Sequence, residues 1–147
     1  MASMHDAPPF TAITEATIVS LVDAFYARVR HDPVLRPLFE RAIAEDAWPM
    51  HLRKMYAFWS SVMLTSGRYK GDPVAVHQRV DGIEPDLFAN WLDLFEATAA
   101  QLFVPSLAQE FATKARRIAE SLRLALFFRP NEPWPTDLRH RPPLAAR

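Results

Sequence analysis

The 147-residue sequence contains no cysteine and only three glycines, and its formal net charge is zero. Without cysteine, the chain can form no disulfide framework, zinc knuckle, iron–sulfur cluster or thiol nucleophile. Three scattered glycines cannot build a loop that cradles phosphate. Seventeen Lys and Arg residues balance seventeen Asp and Glu residues, so no bulk charge attracts the protein to nucleic acid or to an anionic membrane. What remains is a compact domain whose chemistry comes from a few polar residues or from a bound group.

Targeting and membrane segments are lacking as well. The first ten residues are polar and contain prolines, and no cationic end is followed by an apolar run. No stretch reaches the ~18 uninterrupted apolar residues that a membrane span needs. We therefore expect a cytoplasmic protein, monomeric or weakly dimeric, with neither nucleic acid nor membrane as a partner.

Apolar residues at helical spacing dominate the rest of the chain, and half of all residues are hydrophobic. Proline suits the first turn of a helix because its fixed φ fits there and its missing N–H would have no partner. Five of the thirteen prolines stand where an apolar pattern of helical period begins, namely Pro33, Pro49, Pro73, Pro85 and Pro105. These positions predict helix starts.

The first helix needs no proline, since Thr14 can cap it and Glu15 can occupy its first turn. It is predicted to end near His31–Asp32, because the residue before a proline avoids the α region. A shorter apolar segment follows at 35–43, and further helices are predicted over 48–65, 74–80, 85–103 and 105–128. No β alternation appears. The sequence thus predicts an all-α domain over 13–128, after a flexible segment (1–12) and before an extended or disordered Pro-rich tail (129–147).

Three polar residues lie where the pattern predicts core: Tyr26, His51 and His77. Each taken alone is most often an ordinary core side chain whose polar atoms have found partners. The two histidines have no zinc-like spacing, and no neighbouring carboxylate suggests a catalytic triad. Two classes stay open at this point. One is a packed helical module that binds partners; the other is a helical pocket around a flat apolar cofactor such as haem.

A set of short motifs narrows this choice. In chain order they are Phe25–Tyr26, Pro37–Phe39, Trp48–His51, Phe58–Trp59, Gly67–Gly71, His77 and Asn90–Phe95. No single motif is specific, but their order and spacing over about 13–128 resemble those of the truncated haemoglobins, and specifically of the third, P-type group.

That resemblance implies a globin-like two-over-two helical sandwich that encloses haem b. His77 would be the proximal iron ligand, and the distal ligand side would be lined by Tyr26, His51 and Trp91. The haem pocket would be completed by Phe25, Phe39, Met55, Phe58 and Phe88. Cationic or hydroxyl groups for the haem propionates would come from Arg53, Lys54, Tyr69 and Arg79.

The function that follows is reversible binding of O₂, or of another diatomic ligand such as NO or CO, at a five-coordinate haem iron. An O–H from Tyr26 and an N–H from Trp91 suit the negative charge that bound O₂ gains. One alternative is a redox enzyme, an NO dioxygenase or a peroxidase-like protein, in which His51 acts in acid–base chemistry and a separate protein donates electrons. A second alternative is a helical sensor or interaction module without catalysis.

Overall fold

The computed structural model describes residues 7–128, so the predicted tail at 129–147 lies outside the described residues. It contains six α-helices and a short 3₁₀ turn, Glu45–Ala47, that leads into the third helix. In chain order the helices are α1 (Glu15–Val29), α2 (Arg36–Ala42), α3 (Trp48–Leu64), α4 (Pro73–Gln78), α5 (Leu87–Leu102) and α6 (Pro105–Phe127). The described residues form no β-strand, and the predicted all-α class is confirmed.

Side-chain caps begin two of these helices at the residues that the sequence indicates. The Thr14 hydroxyl accepts a hydrogen bond from the Thr17 amide (3.1 Å), and the Thr17 hydroxyl accepts one from the Thr14 amide (2.8 Å). This reciprocal pair is a capping box, which satisfies two amides at the start of α1. A carboxylate oxygen of Asp72 accepts from the Ala75 amide (3.1 Å) and caps α4 in the same way.

The prediction from the prolines is only partly right. Pro49, Pro73 and Pro105 do lie in the first turn of a helix. Pro33 and Pro85 do not, because both lie in turns just before α2 and α5. At Pro33 the cause is the preceding carboxylate. Asp32 Oδ2 accepts hydrogen bonds from the amides of Val34 (3.0 Å) and Leu35 (2.9 Å), which makes a side-chain-stabilised turn.

Helix α1 packs against both α3 and α5, α5 pairs with α6, and the short α4 lies on α6. These contacts join the helices into the two layers that the sequence predicts. None of the helices among residues 7–128 combines the length and the apolar character that crossing a membrane requires.

Stacked rings occupy the centre of the core, between α3 and α5. The Phe95 ring lies between the indoles of Trp59 and Trp91, with centroid distances of 4.8 and 5.4 Å and interplanar angles of 14° and 6°. Phe25 of α1 meets Phe95 edge-on at 5.3 Å, and Phe111 of α6 meets it at 6.4 Å. The ring of Phe95 in α5 therefore contacts rings from α1, α3 and α6.

Phe10, before α1, forms backbone hydrogen bonds with the connection between α5 and α6. The Phe10 amide donates to the Leu102 carbonyl (2.7 Å), and the Phe10 carbonyl accepts from the Val104 amide (3.0 Å). Its ring packs edge-on against Phe103 at 5.3 Å. The packed chain thus extends a few residues before the boundary predicted at residue 13, whereas the flexibility expected of 1–6 concerns residues outside the described part.

Candidate functional site

His51 lies in the second turn of α3, where its imidazole is half-buried between two rings. The Tyr26 ring meets it at 5.0 Å and the Trp48 ring at 5.4 Å, both edge-on. Its Nε2 atom is buried and makes no hydrogen bond. Burial, the charge of Lys54 and the charge of His77 together lower the pKa of His51 to about 4. The imidazole is therefore neutral near pH 7.

His77 lies in α4 and contributes to that shift, so the two imidazoles are within electrostatic reach of one another. Its Nδ1 atom is 2.6 Å from the carbonyl oxygen of Pro73, one turn earlier. A carbonyl oxygen only accepts, so Nδ1 carries a proton and Nε2 is the nitrogen left to bind another group. A histidine that donates from one nitrogen to a carbonyl and binds with the other is the usual arrangement at a metal.

Tyr26 supplies a second polar group beside His51. Its side chain is 7% exposed. Its ring packs edge-on against three more rings, with centroid distances of 4.9 Å to Phe25, 5.9 Å to Phe39 and 5.8 Å to Trp48. Burial raises the pKa of Tyr26, because the phenolate would lose its hydration. The hydroxyl therefore stays protonated and able to donate.

Trp91 does not pair with Tyr26 directly, because the Phe25 ring packs against both of them. It meets Phe25 edge-on at 5.7 Å, and Phe25 in turn packs on Tyr26. Its other contact is the stack on Phe95, which fixes the plane of the indole. The structure therefore brings together Tyr26 and His51 directly, and it places Trp91 one ring away from Tyr26.

The predicted apolar shell divides into two parts. Phe25 and Phe88 are buried in the core, and the ring partner of Phe88 is Phe127 of α6 at 6.3 Å. Phe39, Met55 and Phe58 are half-buried instead and pack against the edge of that core. Half-buried apolar side chains along one face of α3 suit a flat apolar partner.

The four residues that were predicted to bind the haem propionates differ in their contacts and in their electrostatic effect on the two histidines. Arg53 is exposed and reaches the sulfur of Met50 (3.9 Å), and Arg79 Nε donates to the Ala75 carbonyl (3.3 Å) within its own helix. Lys54 is exposed too, but its charge acts on His51.

Tyr69 packs its ring against Phe58 at 5.2 Å. Its hydroxyl lies so close over Gly71 that a Cβ at that glycine would come within 2.3 Å of it. Burial and the nearby Asp72 carboxylate raise the pKa of Tyr69. The hydroxyl is thus a neutral group beside a negative charge, and Lys54 is the propionate candidate with an electrostatic link to His51.

Trp48 belongs to one of the sequence motifs but was not predicted as a site residue. Its indole is 4% exposed and contacts Tyr26, His51 and, in a stack at 6.5 Å, Phe39. The Arg30 guanidinium lies over the same ring, 4.6 Å from its centroid. A signal was present, because residues three apart on a helix share a face and Trp48 precedes His51 by that interval.

These residues fit a haem group by their donor chemistry. The two imidazoles lie on different helices, His51 Nε2 makes no hydrogen bond among residues 7–128, and the hydrogen bond from His77 Nδ1 leaves the Nε2 of that ring available to bind. One could bind an iron atom, and the other, with the Tyr26 hydroxyl, could face a ligand on the opposite side of the ring.

No protein-family model matches the chain. It is 29% identical over 120 residues to the group 3 truncated haemoglobin ctb of Campylobacter jejuni, a match that covers 80% of this chain and 94% of that protein. The crystal structure of the group III truncated haemoglobin from the same organism matches 82% of this chain and 96% of its own, with a TM-score of 0.77. The chain is similar to the group III truncated haemoglobins in sequence and in fold. The resemblance predicted from the sequence and the globin fold are both confirmed.

The similarity extends over nearly the whole length of both the relative and the solved structure. The likeness supports a globin-type haem protein. The roles of individual residues and the identity of the ligand are a separate matter, which rests on the geometry of the site.

Proposed function

We propose that the chain binds haem b through His77 and reversibly binds O₂, or another diatomic ligand, on the face lined by Tyr26, His51 and Trp91. The observation that carries this proposal is the hydrogen bond from His77 Nδ1 to the Pro73 carbonyl (2.6 Å). It fixes the tautomer whose Nε2 can bind a metal, and it makes that nitrogen a stronger base. The Asp72 cap and the packing of α4 on α6 hold the ring in place.

Haem, held by His77, would supply an iron atom that can bind O₂, NO or CO. The protein supplies the donors around the bound ligand. Tyr26 is buried and protonated, so its hydroxyl can donate to the negatively charged end of a ligand. Trp91 can donate from its indole N–H, and the Phe95 stack holds its plane. Each such bond is worth about 1–3 kcal/mol in a dry pocket, which corresponds to roughly 5- to 150-fold in the dissociation rate.

Haem binding is tested by absorption spectroscopy of the protein expressed with ample haem. A Soret band should be present and should be lost in His77→Ala. His31→Ala is a matched control, because His31 Nδ1 makes the same kind of contact to a carbonyl one turn earlier (Ala27, 2.8 Å) but the ring is exposed. A colourless wild-type protein would refute the proposal in favour of a helical interaction or sensor module.

The role of the distal donors is tested by the O₂ dissociation rate. Tyr26→Phe and Trp91→Phe keep an aromatic ring in place and remove one donor each. Both should release O₂ faster, by at least about fivefold. An unchanged rate in Tyr26→Phe would exclude the donor role of this hydroxyl.

One observation favours a second candidate function, a redox enzyme. The buried Nε2 of His51 makes no hydrogen bond, so this imidazole is available for the acid–base step that peroxide activation requires. In the presence of an added electron donor, peroxide turnover should then exceed that of free haem and should fall in His51→Ala. Turnover at the rate of free haem would exclude the enzyme. The separate donor protein, the cytoplasmic location and the monomeric or weakly dimeric state stay predictions.

A further inference from the structure

Five aromatic rings form a continuous row through the core of the protein. The row runs from Trp91 through Phe95, Trp59 and Phe58 to Tyr69, with successive centroid distances of 5.4, 4.8, 5.6 and 5.2 Å. The first two contacts are stacked and the last two are edge-on. Trp59 in the middle is 3% exposed, whereas Trp91 and Tyr69 at the two ends are half-buried. The row therefore joins two edges of the core through its centre.

Three of these rings can be oxidised, and the other two separate them. Indole and phenol groups lose one electron to strong oxidants, whereas phenyl rings resist this. Phe95 lies between Trp91 and Trp59, and Phe58 lies between Trp59 and Tyr69. Because the rate of electron transfer falls steeply with distance, two short steps by way of Trp59 are much faster than one long step between the ends.

Tyr69 is placed to give up an electron because its proton can leave as well. A phenol that loses an electron also loses its hydroxyl proton, which then needs a base or water. The residues on either side of Tyr69 are exposed, and the negative charge of Asp72 acts on its hydroxyl. Tyr26 is also one ring away from Trp91, through Phe25, but it is only 7% exposed and offers its proton little access to water.

We propose that this row carries single electrons from Tyr69 to an oxidised Trp91, so that Tyr69 is a redox-active residue at the outer end of the row. In each transfer, the indolyl radical of Trp91 takes up one electron and one proton and becomes indole again. Tyr69 loses one electron and its phenolic proton and becomes a phenoxyl radical. A one-electron reductant in solution, such as ascorbate, restores the phenol.

The oxidant that this path serves is hydrogen peroxide at the haem, and this part of the inference rests on the proposed function. Conversion of one H₂O₂ into two H₂O takes two electrons and two protons. Two successive oxidations of the Tyr69 phenol supply both. The row would thereby link the ligand face, where Trp91 lies, to a reductant that never enters the haem pocket.

Pulse radiolysis of the full-length chain without haem tests the row by itself. Azide radicals oxidise indole to the indolyl radical and release azide and a proton. In Trp134→Phe, which removes a tryptophan outside the described residues, Trp91 is the most exposed tryptophan left, because Trp48 and Trp59 are 4% and 3% exposed. The indolyl absorbance should decay while the phenoxyl absorbance grows, at a common rate that does not depend on protein concentration.

Three variants of this chain identify the path. Tyr69→Phe keeps the ring on Phe58 and should abolish the phenoxyl growth. Tyr56→Phe is the matched control, because it removes another half-buried phenol, one that donates to Asp23, and it should show the parent rate. Trp59→Phe should slow the growth several-fold. Folding is checked by far-UV circular dichroism, and Tyr69→Phe decides the matter if Trp59→Phe does not fold. Unchanged growth in Tyr69→Phe, or the parent rate in a folded Trp59→Phe, would overturn the inference.

Electron paramagnetic resonance tests the same path in the haem-loaded full chain. Samples frozen shortly after mixing with hydrogen peroxide should show a tyrosyl radical signal that is lost in Tyr69→Phe and kept in Tyr56→Phe. A tyrosyl signal of full amplitude in Tyr69→Phe would overturn the role of Tyr69. Failure of the proposed function looks different, because a chain that binds no haem would still transfer the electron in the azide experiment.

Discussion

Phe95 should control the orientation of Trp91, and a single substitution tests this. In the structure the Phe95 ring lies between the indoles of Trp59 and Trp91, almost parallel to both. Replacement by leucine keeps the site apolar but removes the flat surface on which Trp91 rests. The indole then gains freedom to rotate, and its N–H no longer points in a fixed direction.

The cost in stability follows from burial. Phe95 is 1% exposed. Truncation of a core phenylalanine to alanine costs about 3–5 kcal/mol, and leucine retains about half of the lost carbon atoms, which leaves about 2 kcal/mol. The two stacked pairs add about 0.5 kcal/mol each, the lower end of the range for aromatic pairs. We expect Phe95→Leu to lower the free energy of unfolding by about 3 kcal/mol.

Phe103→Leu is the matched control for this experiment. Phe103 is 2% exposed and has two ring neighbours, Phe10 and Phe111, but it touches neither tryptophan of the stack through a ring pair. Urea unfolding should show a similar loss of stability in both variants. The O₂ dissociation rate should rise, by about fivefold, only in Phe95→Leu. Equal dissociation rates in the two variants would show that the stack does not orient Trp91, and a stability loss below about 1 kcal/mol would contradict the burial argument.

Three further predictions concern a titration, a helix cap and a buried hydroxyl. Because the pKa of His51 is lowered to about 4 in the folded chain, its contribution to stability is complete above about pH 6.5 and is lost as the pH falls towards 4. Urea unfolding should therefore show that His51→Gln removes about 1–2 kcal/mol of the stability difference between pH 7 and pH 5, after allowance for partial exposure, and an unchanged difference in this variant would contradict the shift. Asp72→Ala removes the cap of the six-residue α4, so the free energy of unfolding should fall by about 1 kcal/mol and haem should transfer faster to an apoglobin acceptor. Asp72→Ser should restore both the stability and the transfer rate. A wild-type transfer rate in Asp72→Ala would contradict the role of this cap in positioning His77. Ser60 is fully buried and donates to Glu15 (2.7 Å), so Ser60→Ala should cost about 1–2 kcal/mol in thermal or urea unfolding, compared with no measurable loss for the exposed Ser121→Ala.

The helices were predictable because their ends are encoded locally. Thr14 and Asp72 cap with side chains a few residues from the amides that they satisfy, and such contacts can be inferred from adjacent letters. Pro85 shows the limit of the same reasoning. The amide of Leu87 bonds to the Glu84 carbonyl (3.0 Å), a turn that precedes α5 and delays its start by two residues. A proline fits the first position of such a turn as well as it fits a helix start.

The face of α3 was predicted less completely. Helical spacing correctly placed His51, Met55 and Trp59 on one side, but it could not state what covers each of them. The structure buries Trp59 under Phe95 and leaves Met55 half-buried. Ser60 was not predicted as a buried residue, because its partner Glu15 is 45 residues away in the chain. Contacts of that range follow from how the helices pack, which spacing alone does not contain.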